Sequence, residues 1–376
     1  MPNPLNKPKA RLIAFYLPQY HPIPENDLWW GKGFTEWTNV TKAKPLFPGH
    51  KQPNLPADLG FYDLRVPEVR QAQADLALAY GIEGFCYWHY WFGDGRRILE
   101  RIFNEVLDSG KPELPFCLAW ANETWNRSWH GQEKELLLEQ KYPGEKDYRE
   151  HFTFLLRAFR DPRYIRVDGK PLFVIYNPEE VPNLNAVITF WKKLAVEAGL
   201  PGLYISGVCY DDFSLDESGL DARIPPQPGF FTALKADGWH SPRRPNLAIR
   251  GVRKIWKKIR AALPFPSIYS YPRQARYYVN LPRCDAGTIP CALTNWDNTP
   301  RCGKRGDRLI GATPEQYRLV LRKSIADVTD RPPEHRLVFL KSWNEWAEGN
   351  QLEPDRRFGH DFLKVTREEV EIKLEA

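Results

Sequence analysis

The sequence predicts an α/β fold: a single-domain (β/α)₈ barrel over residues 1–376, with elaborated loops at the C-terminal ends of its strands. Eight short apolar runs, each typical of a buried strand, alternate with longer segments of helical periodicity. No stretch has the composition of a linker between domains, and one barrel can occupy a chain of this length. Aromatic, amide and acidic residues follow one strand candidate after another, where such barrels assemble their active sites.

The predicted strands cover 12–17, 82–88, 115–121, 172–176, 203–209, a weaker run at 221–224, 289–293 and 337–340. Helices are predicted over 66–80, 96–107, 146–160, 184–198 and 314–328. In the first of these, Val69, Ala72, Leu76 and Ala79 recur at helical spacing and would share one face. The segment between the first strand and about residue 62 is predicted as a long loop. The region from about 225 to 288, rich in proline and basic residues, is predicted as an irregular excursion.

The composition narrows the possible partners. The chain has 42% hydrophobic residues and a modest net charge of +6, and no nucleic-acid-binding motif accompanies its basic residues, so no nucleic-acid partner is expected. The basic run between Arg250 and Arg260 is predicted as a solvated helix face, with weak contact to a membrane surface or an anionic glycan as the alternative. Without an apolar signal core or a run of about 18 apolar residues, a cytoplasmic protein with no transmembrane segment is expected.

Neither a metal nor a cofactor is expected. The six cysteines form no Cys-x-x-Cys pair, and Cys86, Cys117 and Cys209 fall inside apolar runs, which favours core thiols over ligands. No His-x-x-x-His pair occurs, and the acidic residues lack convincing metal-ligand spacing. Neither a P-loop nor a Rossmann glycine fingerprint is present.

The most informative segment is Ser-Trp-Asn-Glu-Trp-Ala-Glu-Gly at 342–349. It directly follows the apolar run at 337–340, so Glu345 and Glu348 lie just past a strand end, flanked by Trp343 and Trp346. Glycosidic bond chemistry uses such pairs, because one carboxyl can stay protonated as an acid while the other stays charged. The two glutamates are therefore the catalytic candidates, with a solvated turn as the plain alternative.

Aromatic and polar residues after the other strands are candidates for binding an oligosaccharide or polysaccharide substrate. The 14 tryptophans suit this partner, because flat rings pack on the C–H faces of sugars, although some must belong to the core. The substrate-binding candidates are Tyr20, His21, Trp30, Glu36, Trp37, Tyr87, His89, Trp91, Trp120, Asn122, Glu123, Trp125, Arg127, Tyr176, Trp296, Asp297 and Asn344.

Several segments together resemble the WbsX family of glycosyltransferase-like proteins. They are Ala-Phe-Tyr-Leu-Pro-Gln-Tyr-His-Pro-Ile-Pro-Glu-Asn-Asp at 14–27, Trp-Trp-Gly-Lys-Gly-Phe-Thr-Glu-Trp-Thr-Asn at 29–39, Gly-Phe-Cys-Tyr-Trp-His-Tyr-Trp-Phe at 84–92, Trp-Ala-Asn-Glu at 120–123 and Trp-Asn-Glu-Trp-Ala-Glu-Gly at 343–349. That family is related to glycoside hydrolase family 99, the endo-α-mannosidase type, which has a (β/α)₈ barrel. Members of the WbsX family often occur in gene clusters for surface polysaccharide.

The resemblance also implies roles for the two glutamates. In family 99 the matching Asn-Glu-Trp-x-Glu-Gly segment carries both catalytic carboxylates. Glu345 would then assist the sugar 2-hydroxyl as it attacks C1, which gives a 1,2-anhydro sugar. Glu348 would act as general acid and then as base for water, with net retention and no metal. The N-terminal part is more similar to WbsX proteins than to the mannosidases, so the sugar identity does not carry over.

Alternatives stay open at this point. Glu123, which follows the third predicted strand, could pair with Glu345 across the barrel mouth in a direct-nucleophile or inverting mechanism, or could only orient a hydroxyl. The predicted function is that of a retaining, metal-independent glycoside hydrolase acting on bacterial surface or related polysaccharide. A glycosyltransferase in polysaccharide assembly is the first alternative. A barrel that binds glycan without catalysis is the second.

Overall fold

The computed structural model describes residues 8–127, 135–228 and 266–372, and it confirms the predicted α/β barrel. Each predicted strand is present, with ends shifted by one or a few residues. The eight barrel strands are Arg11–Tyr16, Gly84–His89, Phe116–Trp120, Lys170–Ile175, Tyr204–Val208, Ala222–Ile224, Cys291–Leu293 and Leu337–Lys341. Their side chains are almost all buried, as expected for a parallel sheet that packs on both faces.

The barrel strands pair in parallel with their neighbours in chain order. The eighth strand returns to the first, where Ile13 lies opposite Phe339. Between the sixth and seventh strands, the Arg223 amide donates to the Gly287 carbonyl and its carbonyl accepts from the Ile289 amide, both at 2.8 Å. The ring is therefore nearly closed, and its C-terminal strand ends meet at one rim.

Helices surround the strands and extend over the rim. In chain order they are Pro24–Trp30, Glu36–Lys42, Pro67–Ala79, Glu100–Ser109, Glu145–Phe159, Leu184–Glu197, Leu215–Ser218, Tyr271–Val279, Thr299–Cys302, Pro314–Val328 and Asp361–Val370. Five of these confirm predicted helices. The one predicted from residue 96 begins only at Glu100, because Asp94 and Leu99 adopt left-handed backbone conformations with φ of 51° and 58°. None of the helices within the described ranges is long and apolar enough to cross a membrane.

Two predicted irregular regions contain more structure than expected. The predicted loop before residue 62 includes two helices, and the second is stabilised by a capping box between Thr35 and Thr38. Within the predicted excursion at 225–288, the described part holds the strand Ser267–Ser270, which pairs with Asp307–Ile310, and the helix Tyr271–Val279. The basic run between Arg250 and Arg260 lies outside the described residues.

Aromatic rings fill the inside of the barrel below the rim. Phe15 stacks on Trp88 at a centroid distance of 4.7 Å and on Phe339 at 4.9 Å. These rings come from the first, second and eighth strands, so they bind three neighbouring strands together. Trp88 lies near the C-terminal end of its strand, so it also lines the cavity above the packed rings. The packed aromatic interior therefore forms the floor of the site.

Candidate functional site

A cavity of about 410 Å³ opens at the C-terminal rim of the barrel. Four glutamates, three cationic side chains and several aromatic rings line it. The lining residues that carry charge or an aromatic ring are Trp30, Glu36, Trp88, Tyr90, Glu123, Trp125, Tyr176, Arg301, Arg305, Asp307, Lys341, Glu345 and Glu348. Aromatic walls with a few convergent polar groups are typical of a saccharide or small-molecule site.

Arg301 lies at the centre of the charged groups and contacts three carboxylates. Its Nη1 donates to Glu348 Oε1 at 2.6 Å, and its Nη2 donates to Glu345 Oε2 at 3.0 Å. The Nε donates to Glu36 Oε2 at 3.1 Å. Burial opposes the charge of Arg301, but the three carboxylates outweigh it and raise its pKa well above the usual range. One guanidinium therefore holds Glu345 and Glu348 next to each other.

Lys341 is a second buried cation beside the same pair. It ends the eighth strand, and its Nζ lies 3.7 Å from Glu348 Oε2. The ammonium also lies 5.5 Å from the ring centre of Trp296 and 5.9 Å from that of Trp88. Burial acts to lower the pKa of Lys341, but Glu348 and the other neighbouring acidic groups raise it overall. Lys341 therefore stays charged in the cavity.

Glu345 is the most perturbed carboxyl that faces the cavity. The residue is 5% exposed, and Trp88 Nε1 donates to its Oε1 at 3.2 Å. Burial, with repulsion from Glu348, raises the pKa of Glu345 to about 7, although Arg301 and Lys341 oppose the shift. Near neutral pH this carboxyl is therefore partly protonated.

The backbone after the eighth strand sets the relative positions of the two glutamates. Ser342 Oγ accepts from the Glu345 amide at 3.1 Å, and a short 3₁₀ turn, Trp346–Glu348, then carries the chain to Gly349. Gly349 has a φ of 66°, and a Cβ there would lie 3.0 Å from Asp297 Cβ. Both the left-handed conformation and the close approach to Asp297 require glycine.

Gly349→Ala is expected to lower the free energy of unfolding by about 1–3 kcal/mol and to reduce activity, because it strains the turn that carries Glu348. Gly110→Ala is the matched control. Gly110 has nearly the same left-handed backbone conformation, with a φ of 69°, but a Cβ there meets nothing within 4 Å. Chemical denaturation of the three proteins measures the difference. Equal losses in the two variants would attribute the whole effect to φ and none to the contact with Asp297.

Glu123 lies in the same cavity on the loop after the third strand. Asn177 Nδ2 donates to Glu123 Oε1 at 2.9 Å. Burial raises the pKa of Glu123, and Asn177 and Lys341 offset part of the shift. Repulsion from Glu348, which lines the same cavity, adds to the rise. Glu123 lines the cavity together with Glu345, so the alternative catalytic pair stays open.

Asp297 anchors the short helix that carries Arg301. It does not line the main cavity; its Oδ1 accepts from the Thr299 amide at 3.1 Å and from Thr299 Oγ1 at 2.6 Å, at the start of the short helix that carries Arg301. Its Oδ2 accepts from Gln52 Nε2 at 2.8 Å and lies 3.0 Å from His50 Nε2. Burial raises the pKa of Asp297. These contacts make Asp297 an anchor for the Arg301 helix.

Seven of the predicted site residues line the main cavity: Trp30, Glu36, Glu123, Trp125, Tyr176, Glu345 and Glu348. The other twelve lie outside it, where they pack around the site or in the core, and their role in binding stays a prediction. Three of them join the first and eighth strand ends. Asn344 exchanges two hydrogen bonds with the backbone of Leu17, Tyr20 donates to the Asn344 carbonyl, and Trp37 packs on Tyr20.

Three more predicted residues surround the buried His151. Trp91 stacks on the His151 ring at 4.6 Å, Trp120 packs edge-on against it, and His89 Nε2 lies 2.8 Å from His151 Nε2. Burial lowers the pKa of His89 to about 3, so this pair is neutral. Asn122 exchanges hydrogen bonds with the backbone of Asn177 and so ties the third strand end to the fourth.

The remaining predicted residues lie further from the carboxylates. Tyr87 points away from the barrel interior and contacts Phe103. His21 Nδ1 lies 3.0 Å from the Pro18 carbonyl. Arg127 pairs with Glu135 at 2.9 Å. Trp296 lies beside Lys341, whose ammonium is 5.5 Å from its ring centre.

Sequence reasoning missed both cations that hold the glutamates. Lys341 is a charged residue at the end of an otherwise apolar strand run, and that break in the pattern was a usable signal. Arg301 follows the seventh strand in Trp-Asp-Asn-Thr-Pro-Arg but carries no signal of its own. Trp88, Tyr90, Gln19, Arg305 and Asp307 also line the cavity without having been predicted. Within residues 8–127, 135–228 and 266–372, no group of three or more His, Cys, Asp or Glu side chains is arranged to hold a metal ion.

Comparison with known proteins adds a family and a fold. Residues 12–366 match the family model described as Glycosyltransferase WbsX. The uncharacterized protein WxcX of Xanthomonas campestris pv. campestris is 38% identical over 362 residues in strain B100 and 37% identical over 361 residues in strain ATCC 33913. Each alignment covers 96% of this chain and 49% of the relative. The chain thus spans about half the length of the curated relatives it matches.

Two solved structures share the fold. A glycoside hydrolase-like protein superposes with a TM-score of 0.60 at 16% identity, covering 99% of this chain and 98% of the other. The GH99 endo-alpha-mannosidase from Bacteroides thetaiotaomicron superposes with a TM-score of 0.55 at 16% identity, covering 96% of each chain. At this identity the likeness extends to the barrel architecture alone.

Proposed function

The chain belongs to the WbsX glycosyltransferase family, and on that premise we propose that it is a carbohydrate-active enzyme that hydrolyses glycosidic bonds with retention of configuration. The observation that carries the proposal is the contact of one guanidinium, that of Arg301, with both Glu345 and Glu348 in an aromatic-walled cavity. Retaining glycosidases need their two carboxyls close together, because one reacts or assists at the sugar while the other protonates the leaving oxygen.

The proposed reaction uses the two glutamates in the roles that the family resemblance implies. Glu345 takes the proton of the sugar 2-hydroxyl while O2 bonds to C1, and the glycosidic C1–O bond breaks as Glu348 donates a proton to the leaving oxygen. Water then attacks C1 of the 1,2-anhydro sugar, giving its proton to Glu348 while O2 recovers the proton from Glu345. Two inversions at C1 give net retention.

In the free protein, the charges around the two glutamates favour a different position of the proton from the one that this reaction requires. The raised pKa of Glu345 favours the proton on this carboxyl, whereas both Arg301 and Lys341 contact Glu348. Glu345 must be ionised to accept from the 2-hydroxyl, so substrate binding has to transfer the proton to Glu348. The shared guanidinium makes this transfer feasible, because it stabilises a negative charge on either carboxyl.

The anomer released by hydrolysis tests the proposal. Following a panel of aryl glycosides and surface polysaccharides by NMR is expected to give the retained anomer first. A substrate that lacks the 2-hydroxyl should then react at least about 10²-fold more slowly, because it has no internal nucleophile. An inverted product would instead favour a pair separated by water, such as Glu123 with Glu345. Fast cleavage of the 2-deoxy substrate with retention would favour a direct carboxylate nucleophile.

Glycosyl transfer is the second candidate, and the description of the matching family model favours it. The same two carboxylates would pass the sugar to an acceptor hydroxyl in place of water. Titration with nucleotide sugars distinguishes the two, because a transferase that uses such donors binds them at the cavity and a hydrolase does not. A protein that binds glycan but is unaffected by loss of both carboxylates would be a binding barrel.

A further inference from the structure

A second, smaller cavity of about 250 Å³ lies behind the wall that carries Asp297 and Gly349. The strand Asp307–Ile310 separates the two cavities, since Asp307 lines the main one and Arg308 the second. Four cationic and two acidic side chains line this second cavity: Lys51, Arg308, Arg356, Arg357, Asp297 and Asp355. The cations therefore outnumber the carboxylates, which is the reverse of the balance in the main cavity.

Arg308 is the buried cation of the second cavity, and two of its nitrogen donors lack a hydrogen-bond acceptor among the described residues. It is 9% exposed, and among the residues that the structure describes neither its Nε nor its Nη1 has a hydrogen-bond partner. Its Nη1 lies 3.3 Å from Asp297 Oδ2, but that oxygen already receives Gln52 and His50. Burial, with the nearby charge of Arg357, lowers the pKa of Arg308 to about 10. Arg308 is thus paired with Asp297 and packed 5.6 Å from the ring centre of Phe47, and an oxyanion in the cavity would give its guanidinium a second ionic partner.

Two unsatisfied acceptors lie in the same cavity. Within the described part of the chain, Asn295 Oδ1 and Gln351 Oε1 are buried and have no hydrogen-bond partner. The other carboxylate, Asp355, is occupied by the amides of Arg357 and Phe358 at 2.8 and 2.7 Å. A simple anion satisfies the guanidinium but offers no donor to the two amide oxygens. A ligand with both an oxyanion and hydroxyl groups satisfies both sets.

We propose that the second cavity binds an acidic saccharide, with the oxyanion of the sugar on Arg308 and its hydroxyls on Asn295 and Gln351. The exposed Arg357 contributes to the same oxyanion from the rim of the cavity. This site adds to the proposed function and does not take part in bond cleavage, so it is testable without turnover. Arg308 and Arg357 act here as binding residues.

The test is calorimetric titration of the Glu345→Gln variant, whose failure to turn over leaves binding measurable. The probes are glucuronate, glucose and inorganic sulfate, which is an anion without a hydroxyl donor. Glucuronate is expected to bind, and adding Arg308→Gln should weaken it at least tenfold. Arg283→Gln is the matched control, because Arg283 is an exposed arginine paired with Asp330 far from the cavity. It should leave the affinity unchanged.

Three results would overturn the proposal. Equal glucuronate affinity with and without Arg308 would exclude the site, and sulfate binding as tight as glucuronate would reduce it to a simple anion site. Glucose binding that depends on Arg308 would also contradict the role of the oxyanion. Should Arg308→Gln fail to fold by circular dichroism, Arg357→Gln replaces it, since Arg357 is exposed and its loss should still weaken glucuronate several-fold.

Discussion

Glu345→Gln and Glu348→Gln are each expected to lower kcat by about 10²–10⁴-fold with little change in the fold. Glutamine keeps the size of the side chain and can still accept from Arg301, but it can neither take nor give a proton at the reacting oxygens. The loss should appear in kcat more than in KM, because proton transfer belongs to the transition state. Steady-state kinetics on the substrate identified by the anomer experiment measures both.

Two further glutamines serve as controls for this result. Glu179 is exposed outside the cavity, so Glu179→Gln should keep full activity. Glu123→Gln removes a carboxyl that lines the cavity and should have a smaller effect than the pair, mainly on KM. If Glu123→Gln is inactive while Glu348→Gln retains activity, the catalytic pair is Glu123 with Glu345, and the assignment of Glu348 is wrong.

The sequence predicted the barrel well because its signals are local. Each strand is a short apolar run that ends in a polar or aromatic segment, and burial on both faces leaves little ambiguity in that pattern. The helices around the rim were harder. Pro24–Trp30 and Glu36–Lys42 are each seven residues long, and isolated helices of that length are not stable without tertiary contacts.

Glu123, Glu345 and Glu348 were predicted at the cavity because strand ends meet at one rim, but the inward-facing aromatic residues were not always identified. Side chains alternate along a strand, so Trp88 faces the cavity while its neighbour Tyr87 packs outward against Phe103. Arg301 depends on contacts distant in sequence. Its helix begins at Thr299, which donates to one oxygen of Asp297, while the other oxygen of Asp297 is held by His50 and Gln52. No local pattern in the sequence indicates that arrangement.

Arg301→Gln is expected to reduce both activity and stability, and the stability loss should depend on pH. The change leaves Glu36, Glu345 and Glu348 without their shared cation, and Glu36 is only 1% exposed. Removing one partner from a buried ionic group costs about 3–5 kcal/mol. Arg149→Gln, which removes an exposed arginine paired with Glu145, is the control and should change the free energy of unfolding by less than about 0.5 kcal/mol.

The pH dependence follows from the direction of the pKa shift. Arg301 lowers the pKa of Glu345, so its removal should raise that pKa above the wild-type value of about 7. A carboxyl whose pKa is higher in the folded than in the unfolded protein destabilises the fold as pH rises from its unfolded pKa, about 4.3, through its folded pKa. The stability gap, which is the difference in free energy of unfolding between wild type and Arg301→Gln, should therefore be small near pH 5 and larger near pH 8.

Urea denaturation at these two pH values measures the gap, and the pH–rate profile measures its catalytic counterpart. In Arg301→Gln, the limb of the pH–rate profile that Glu345 controls should move to higher pH, because the carboxyl then keeps its proton up to a higher pH. Arg301→Lys keeps the charge but loses the three-way geometry, so it should recover stability at pH 8 more than it recovers kcat. Full recovery of kcat by lysine would mean that Arg301 supplies charge alone. If the difference in free energy of unfolding between variant and wild type did not change with pH, loss of Arg301 would not have altered the ionisation of the carboxylates. The mechanism proposed for Glu345 and Glu348 would then lose its electrostatic basis.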